Sequence, residues 1–462
     1  MLRFFNTIAR KIENFTPLDP PKVRMYTCGP TVYDYMHIGN LRTFVLSDLL
    51  FRVLTYNGYQ VKSIQNITDI DDKIVKRAKE ENKTISEVSQ EFTQSFLDDV
   101  NKLNIHWEAG KHPRATDYIT DIAKYVKALL DKGFAYKEKD GSVYFDISKF
   151  PNYGRLSKLE KRELKTGTRI LSDEYTKDDV QDFALWKAVP KGEIDSFESE
   201  LGWGRPGWHI ECSVMSQKTL GDTFDIHVGG VDLIFPHHEN EIAQSEAKTG
   251  KEFVKFFIHG EHVLVEGKKM SKSLGNVYTL QDVVERGFDR LALRYLFLTA
   301  HYRDKLNFTW KSLQAAQTAY DKLIGFMEEK FSRKAGSHLL PLQSIETYRT
   351  EFFNQMNNDL GTPNALAVLW EMLKSNIPGK DKSDLLLSFD EVLGLGLNKQ
   401  VSKKEPEIPE EIIRLIKERE KLREKEEWAK ADDLRERIER MGYFVEDTIK
   451  GSKIKKKKML PT

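Results

Sequence analysis

The apolar positions near the start of the chain change period twice within fifty residues. Val23 to Thr27 is a short, mostly apolar run that predicts a strand, and it gives way to a loop through Met36 rich in Gly, Pro and aromatic residues. From Asn40, Leu41, Phe44, Val45, Leu49, Val53 and Leu54 recur at helical spacing until Gly58 supplies a stop. Tyr59 to Ile67 then reads as a second strand. Strand, loop, helix, strand is the opening of a parallel doubly wound sheet, which binds ligands beyond the carboxyl ends of its strands and beside helix N-termini. The loop from Cys28 to Gly39 occupies that position.

Two helices are expected next, one opened by a capping box from Thr84 to Glu87 and carrying Ile85, Val88, Phe92 and Val100 on one face. "AYKEKDGSVYFD" reads as a hairpin around Asp140-Gly141. The stretch from about 147 to 200 is charged and reads as irregular, an insertion that interrupts the sheet. Apolar strand patterns return at Thr223 to Val228 and at Val254 to Val265, and beyond about 306 the chain reads as wholly helical. A breaker-rich link from Ser402 to Pro409 precedes a final charged segment.

Composition narrows the class. At 462 residues the chain exceeds what one core usually serves, and 40% hydrophobic with 31% charged residues excludes a chain that is mainly disordered. No apolar run approaches the roughly 20 residues that cross a bilayer, and "MLRFFNTIARKIENF" lacks the features of a secretion signal. The two cysteines, Cys28 and Cys212, then imply free thiols in a reducing cytoplasm. A net charge of +1 exerts no general pull on nucleic acid. The acid-free end, with Lys450, Lys453 and the run Lys455 to Lys458, reads either as a solvated tail or as a contact for phosphates.

Three groups of residues carry candidate chemistry. Cys212 lies in "WHIECSVM", on a helix expected after Pro206-Gly207, and His237 and Glu241 stand four apart in "FPHHENEIAQS", one helical face. With Cys28 they would complete a four-ligand metal site, with His209 and His238 as rival ligands. The same residues fit buried thiols and a surface His-Glu pair. "KKMSKSLGN", Lys268 to Asn276, sets lysines between Gly267 and Gly275, which suits a loop closing over phosphates as well as it suits a solvated basic turn. "HIGN", His37 to Asn40, puts two hydrogen-bonding side chains at a helix start that attracts anions, and it equally fits an Asn N-cap beside a surface histidine.

The pairing of "HIGN" on the first strand-to-helix turn with a later "KMSKS" resembles the nucleotide signature of class I aminoacyl-tRNA synthetases. With "YTCGPTVYDYMHIGN", "NITDIDDKI", "GRPGWHIECSVM" and "FPHHENEIAQSE", the chain resembles the cysteinyl-tRNA synthetase family from about residue 20 to 447. The resemblance implies an α/β fold: a Rossmann-type doubly wound parallel-sheet catalytic domain with an insertion, then an α-helical bundle and a small C-terminal domain. Its divisions are 1–119 and 206–262 for the halves of the catalytic domain, 120–205 for the connective insertion, 263–305 for the KMSKS loop and stem-contact region, 306–401 for the bundle, and 402–462 for an anticodon-binding domain with a Lys-rich tail.

The resemblance also implies a cysteine–tRNA ligase acting on L-cysteine, ATP and tRNA(Cys), expected to be a cytoplasmic monomer. One zinc per chain would be held by Cys28, Cys212, His237 and Glu241 and would bind the substrate thiol. Shape alone separates serine from cysteine by only about 1–3 kcal/mol or less, whereas zinc prefers thiolate to hydroxyl. By the same resemblance, His37 and Asn40 hold the ATP phosphates, Lys269 and Lys272 neutralise the departing pyrophosphate, Asp232 borders the adenosine, and Gly29, Thr68 and Trp208 line the cysteine pocket, with magnesium accompanying the triphosphate. Many relatives carry a second histidine where Asn40 stands. The insertion is too short for an editing domain, so no hydrolysis of seryl product is expected. Glu426 to Thr448 matches the anticodon-reading segment, but "IKGSKIKKKKMLPT" replaces a Trp-containing end found in relatives. Two rivals remain at this point: a ligase joining activated cysteine to a small amine acceptor, and a non-catalytic RNA-binding paralogue.

Overall fold

In the computed structural model, four short strands pair side by side in parallel: β1 (Lys22–Thr27), β2 (Gln60–Gln65), β3 (Phe224–Gly230) and β4 (Val254–Gly260), in the spatial order β4-β3-β1-β2. The structure describes residues 1–108, 111–159, 164–170, 173, 176–177, 180–332, 342–398, 409–448 and 451–456. Thr27 pairs with Gln65 and with Val228, and Gly230 with Gly260, so the carboxyl ends of all four strands open on one edge. β3 is buried along its whole length because both faces are covered. Met25 belongs to the apolar cluster on one face and Tyr26 to the cluster on the other, the two-residue alternation of a strand between two cores.

Helix α1 (Ile38–Tyr56) covers the first face. It buries residues around most of its circumference, from Ile38 and Leu41 to Leu54, because the sheet lies on one side and the helical C-terminal region on the other. Helices α2 (Trp208–Leu220) and α3 (Glu239–Thr249) cover the opposite face. The helix over Ile85–Lys102 opens with the expected box, the Thr84 side chain accepting from Glu87 N–H and Glu87 accepting from Thr84 N–H. The hairpin at Asp140-Gly141 is present, Ala135–Lys137 against Val143–Phe145.

Two readings of the sequence need correction. The stretch from 147 to 200 is not irregular: Leu164–Ile170 and Val180–Ala188 join the hairpin and Gly204–Pro206 in a five-stranded sheet of their own. "VQDFALWKA" is buried nearly throughout, so it lacks the alternation that marks a half-exposed strand. The apolar patterns from Val254 to Val265 form two strands: Gly260 ends β4, and Val263–Val265 leaves the sheet to pair with Lys268–Lys269 and Leu306–Phe308. The chain is also not wholly helical beyond 306. Helices do dominate there, but Tyr443–Thr448 pairs antiparallel with Gly451–Lys456. The link at Ser402 to Glu407 and Ile408, and Lys450, Lys457 and Lys458 of the tail, lie outside the described residues. Among the described residues no helix is long and apolar enough to cross a membrane.

Candidate metal centre and nucleotide-binding turn

Cys28 is the first residue past β1, and its N–H still donates to Val228 O on β3 at 3.2 Å, which fixes its side chain at the open edge of the sheet. Cys212 lies on the second turn of α2, Glu241 on the first turn of α3, and His237 in the short turn that leads into α3. The four are 7%, 1%, 0% and 1% exposed in that order, and one donor atom from each lies within 4.8 Å of all the others. The sulfurs are 3.9 Å apart, close to the ~3.8 Å edge of a tetrahedron with ~2.3 Å metal–sulfur bonds.

A ring of histidines surrounds this quartet. His227 Nε2 is 2.9 Å from Glu241 Oε2, and His209 Nδ1 is 3.0 Å from His237 Nδ1. His237 Nε2, buried, faces Glu241 Oε1 at 3.1 Å. A ligating imidazole has this arrangement, one nitrogen oriented by a neighbour and the other turned toward the remaining ligands. The rival His238 sits close, with Nε2 3.4 Å from Cys28 Sγ, and a second group of Cys28, His227, His238 and Glu241 is equally compact. In that group His227 Nε2 holds Glu241, and His238 is oriented through Nδ1 by His259 Nε2 at 2.8 Å, with Thr7 Oγ1 completing the chain at 2.7 Å from His259 Nδ1, so His238 stays a rival on the same geometric criterion. His227, His259 and Thr7 are residues that sequence reasoning missed. Nothing in their spacing reveals them, because three separate segments bring them together.

The charges favour a cation. Burial would raise the Glu241 carboxyl, but the adjoining His227 and His237 hold it down to about 2. Burial opposes the Cys212 thiolate too, yet the hydrogen bonds from Cys28 and His237 bring Cys212 down to about 6, while burial and then Cys212 itself push Cys28 up. Burial disfavours the His237 cation, and Glu241 outweighs it to give about 10. The directions favour the anionic forms of Cys212 and Glu241 in a dry site, which suits a cation.

The expected cysteine-pocket residues gather at the same edge. Gly29 N–H donates to Asn66 Oδ1 at 2.8 Å, and any side chain on Gly29 would run into the Asn66 carbonyl oxygen. Asn66 Nδ2 donates to Thr68 Oγ1 at 3.1 Å, and Thr68 N–H to Pro30 O at 3.0 Å. The Trp208 ring centroid is 4.2 Å from that of His237. Asn66, 1% exposed and 3.7 Å from Cys212 Sγ through Oδ1, joins Gly29 and Thr68 to Cys212 and was not singled out in the sequence.

The nucleotide motifs also meet. His37, and not Asn40, is the N-cap of α1: its Nδ1 accepts from Asn40 N–H at 3.1 Å while Asn40 Oδ1 accepts from His37 N–H at 3.3 Å. A side chain at Gly39 would strike Met270 of the lysine loop, and His37 forms a bridge with Thr279 as Ile38 N–H donates to Tyr278 O at 2.8 Å. Lys269 is exposed at the start of that loop, and Asn276 ties its two ends, accepting from Ser271 N–H at 2.9 Å and donating to Lys269 O at 3.1 Å. Lys272 opens a short turn, and its side chain lies outside the described residues. Asp232 follows Gly229-Gly230 at the end of β3, its carboxylate lying where a side chain on Gly230 would be.

Residues 14–318 match the family model described as tRNA synthetases class I (C) catalytic domain, and residues 405–454 match the Cysteinyl-tRNA ligase anticodon binding domain. The chain is 44% identical to the cysteine–tRNA ligase of Chlamydia felis and 43% identical to that of Chlamydia muridarum; 98% of this chain is covered in both, with 98% and 99% of the relatives. It also resembles the solved ternary complex of Agrobacterium radiobacter K84 agnB2 LeuRS with tRNA and LeuAMS, with a TM-score of 0.59 at 11% identity over 84% of this chain and 85% of that one, a likeness of fold.

Proposed function

The chain belongs to the cysteine–tRNA ligases, within the class I aminoacyl-tRNA synthetases, and from that premise we propose that a zinc ion held by Cys28, Cys212, His237 and Glu241 is what separates cysteine from serine. The enzyme uses ATP to join L-cysteine to tRNA(Cys). The cysteine carboxylate attacks the α-phosphate of ATP and expels pyrophosphate. A hydroxyl of the terminal tRNA adenosine then attacks the acyl carbon and releases AMP. Both nucleophiles belong to substrates, so the protein's contribution is placement and charge stabilisation.

The observation that carries the zinc reading is the buried quartet at the mouth of the sheet, two thiols, an imidazole and a carboxylate with one donor atom each within 4.8 Å of all the others. Bound there, zinc supplies a preference for thiolate over hydroxyl that no cavity of fixed shape matches. Gly29, Thr68 and Trp208 orient the amino acid, with Asn66 holding the first two in register. His37 and Asn40 take the phosphates at the α1 N-terminus, Lys269 and Lys272 neutralise the leaving pyrophosphate, and Asp232 borders the adenosine, with magnesium on the triphosphate.

In this reading the catalytic domain comprises residues 1–119 and 206–262, with an insertion at 120–205, a KMSKS and stem-contact region at 263–305, a bundle at 306–401 and an anticodon-binding domain from 402. The enzyme acts as a monomer, and two buried thiols suit a reducing compartment such as the cytoplasm. An amine-acceptor ligase or a non-catalytic paralogue is disfavoured by the anticodon-domain match. Selection at the metal makes editing unnecessary. Purified protein is expected to hold about one zinc per chain and to leave Ser-tRNA intact; a fully active metal-free preparation, or rapid Ser-tRNA hydrolysis, overturns the reading.

A further inference from the structure

Arg42 stands two residues past Asn40 on α1, and it is 6% exposed. Its guanidinium donates to three main-chain carbonyl oxygens: Nη1 to Glu261 at 2.9 Å and His262 at 3.2 Å, and Nη2 to His301 at 2.9 Å. Burial draws it down to about 10, and the Glu261 and Asp304 carboxylates offset only part of that cost. A buried charge held on backbone carbonyls is costly, and it persists where it fixes geometry.

The three carbonyls mark a junction. Glu261 and His262 immediately precede the strand Val263–Val265, whose antiparallel partner Lys268–Lys269 begins the lysine loop. The segment bearing His301 is fastened to the same strand, because Glu261 N–H donates to Tyr302 O at 2.8 Å and Leu306–Phe308 pairs with Val263–Val265. Behind it, Asp359 gathers the segment bearing His301 and the N-terminal strand Arg3–Asn6: it accepts from Tyr302 Oη at 2.5 Å, Arg303 Nε at 2.8 Å and Phe5 N–H at 2.8 Å, while its carbonyl lies 2.8 Å from His301 Nε2. Asp359 and Leu360 adopt left-handed φ values of 59° and 53°, a strained pair that this network holds in place. The crevice beside Arg42 has a volume of about 20 Å³, room for one water and no ligand, so the junction is structural contact and not a binding site.

We propose that Arg42 is a positioning residue for ATP: by tying the helix that begins at His37 and Asn40 to the root of the lysine loop, it sets the separation of the two halves of the nucleotide site, with Asp359 anchoring the far side. The proposal rests on the reading that those two motifs hold ATP. A planar fork can span three carbonyls where an ammonium cannot, so charge-preserving Arg42→Lys tests geometry.

Pyrophosphate exchange with ATP and cysteine varied separately, at measured zinc content, tests it. Arg42→Lys and Arg42→Met are expected to lower kcat/KM for ATP by about tenfold or more, with KM for cysteine changed less than about twofold and zinc retained. Asp359→Asn is expected to act in the same direction by a few-fold, and it reads the junction even if Arg42→Met fails to fold. Faster amide exchange over 266–276 in Arg42→Lys supports the same geometry. Wild-type ATP kinetics in Arg42→Lys, or equal losses for ATP and cysteine, overturn the proposal. His37→Ala separates the two levels: unchanged ATP kinetics there defeat the nucleotide reading itself, whereas a loss there beside wild-type behaviour in Arg42→Lys defeats only the role of Arg42.

Discussion

The metal quartet and the lysine loop lie at the same end of one sheet and are built in opposite ways. Cys28, Cys212 and the His237–Glu241 pair come from three separate segments, none of the four is more than 7% exposed, and histidines and Asn66 pack around them. Lys268 and Lys269 are exposed, and hydrogen bonds within their loop link Lys269, Ser271, Ser273, Leu274 and Asn276. A site that must distinguish sulfur from oxygen gains from being dry and rigid, because metal preference and local charge act undiluted by solvent. A site that must admit a triphosphate and release pyrophosphate gains from an open loop. The proposed function thereby places selection and turnover on separate structures.

That division can be broken experimentally. The largest effect is expected for Cys212→Ser: zinc is lost, kcat/KM for cysteine falls by about 10³-fold or more, and preference over serine collapses. Retained preference, measured by exchange with each amino acid, contradicts the assignment. Lys272→Ala is expected to slow pyrophosphate exchange by about 10²-fold while zinc content and cysteine binding persist; simultaneous loss of zinc would show the two regions to be one. His227→Phe leaves Glu241 Oε2 without its partner, and chelator competition is expected to show zinc held about tenfold less tightly with ATP kinetics unaffected. The smallest effect is expected from removing residues 449–462, a few-fold rise in KM for tRNA that shrinks as salt is added, since counterion release governs phosphate contacts.

Much of this organisation was legible in the chain. The strand, loop and helix from Val23 to Gly58 follow from apolar period alone, and Cys28, Cys212, His237 and Glu241 do converge. Spacing alone does not separate His237 from His238, which differ by one position, and the structure sets both at the cluster, His237 Nε2 3.1 Å from Glu241 Oε1 and His238 Nε2 3.4 Å from Cys28 Sγ. The strand Val180–Ala188 escaped notice because burial on both sides erases its alternation, with Trp186 fully buried among charged neighbours in the sequence. Asn66 and Arg42 escaped because their importance lies in backbone groups they hold, and a main-chain carbonyl leaves no mark in an amino-acid sequence.

X-ray absorption at the zinc edge, recorded on the purified enzyme before and after cysteine is added, tests thiol selection at the metal most directly. Two sulfur scatterers at about 2.3 Å are expected without substrate and three with it, and serine is expected to leave the count at two. A spectrum that cysteine leaves unchanged, or a preparation that charges tRNA without zinc, contradicts it.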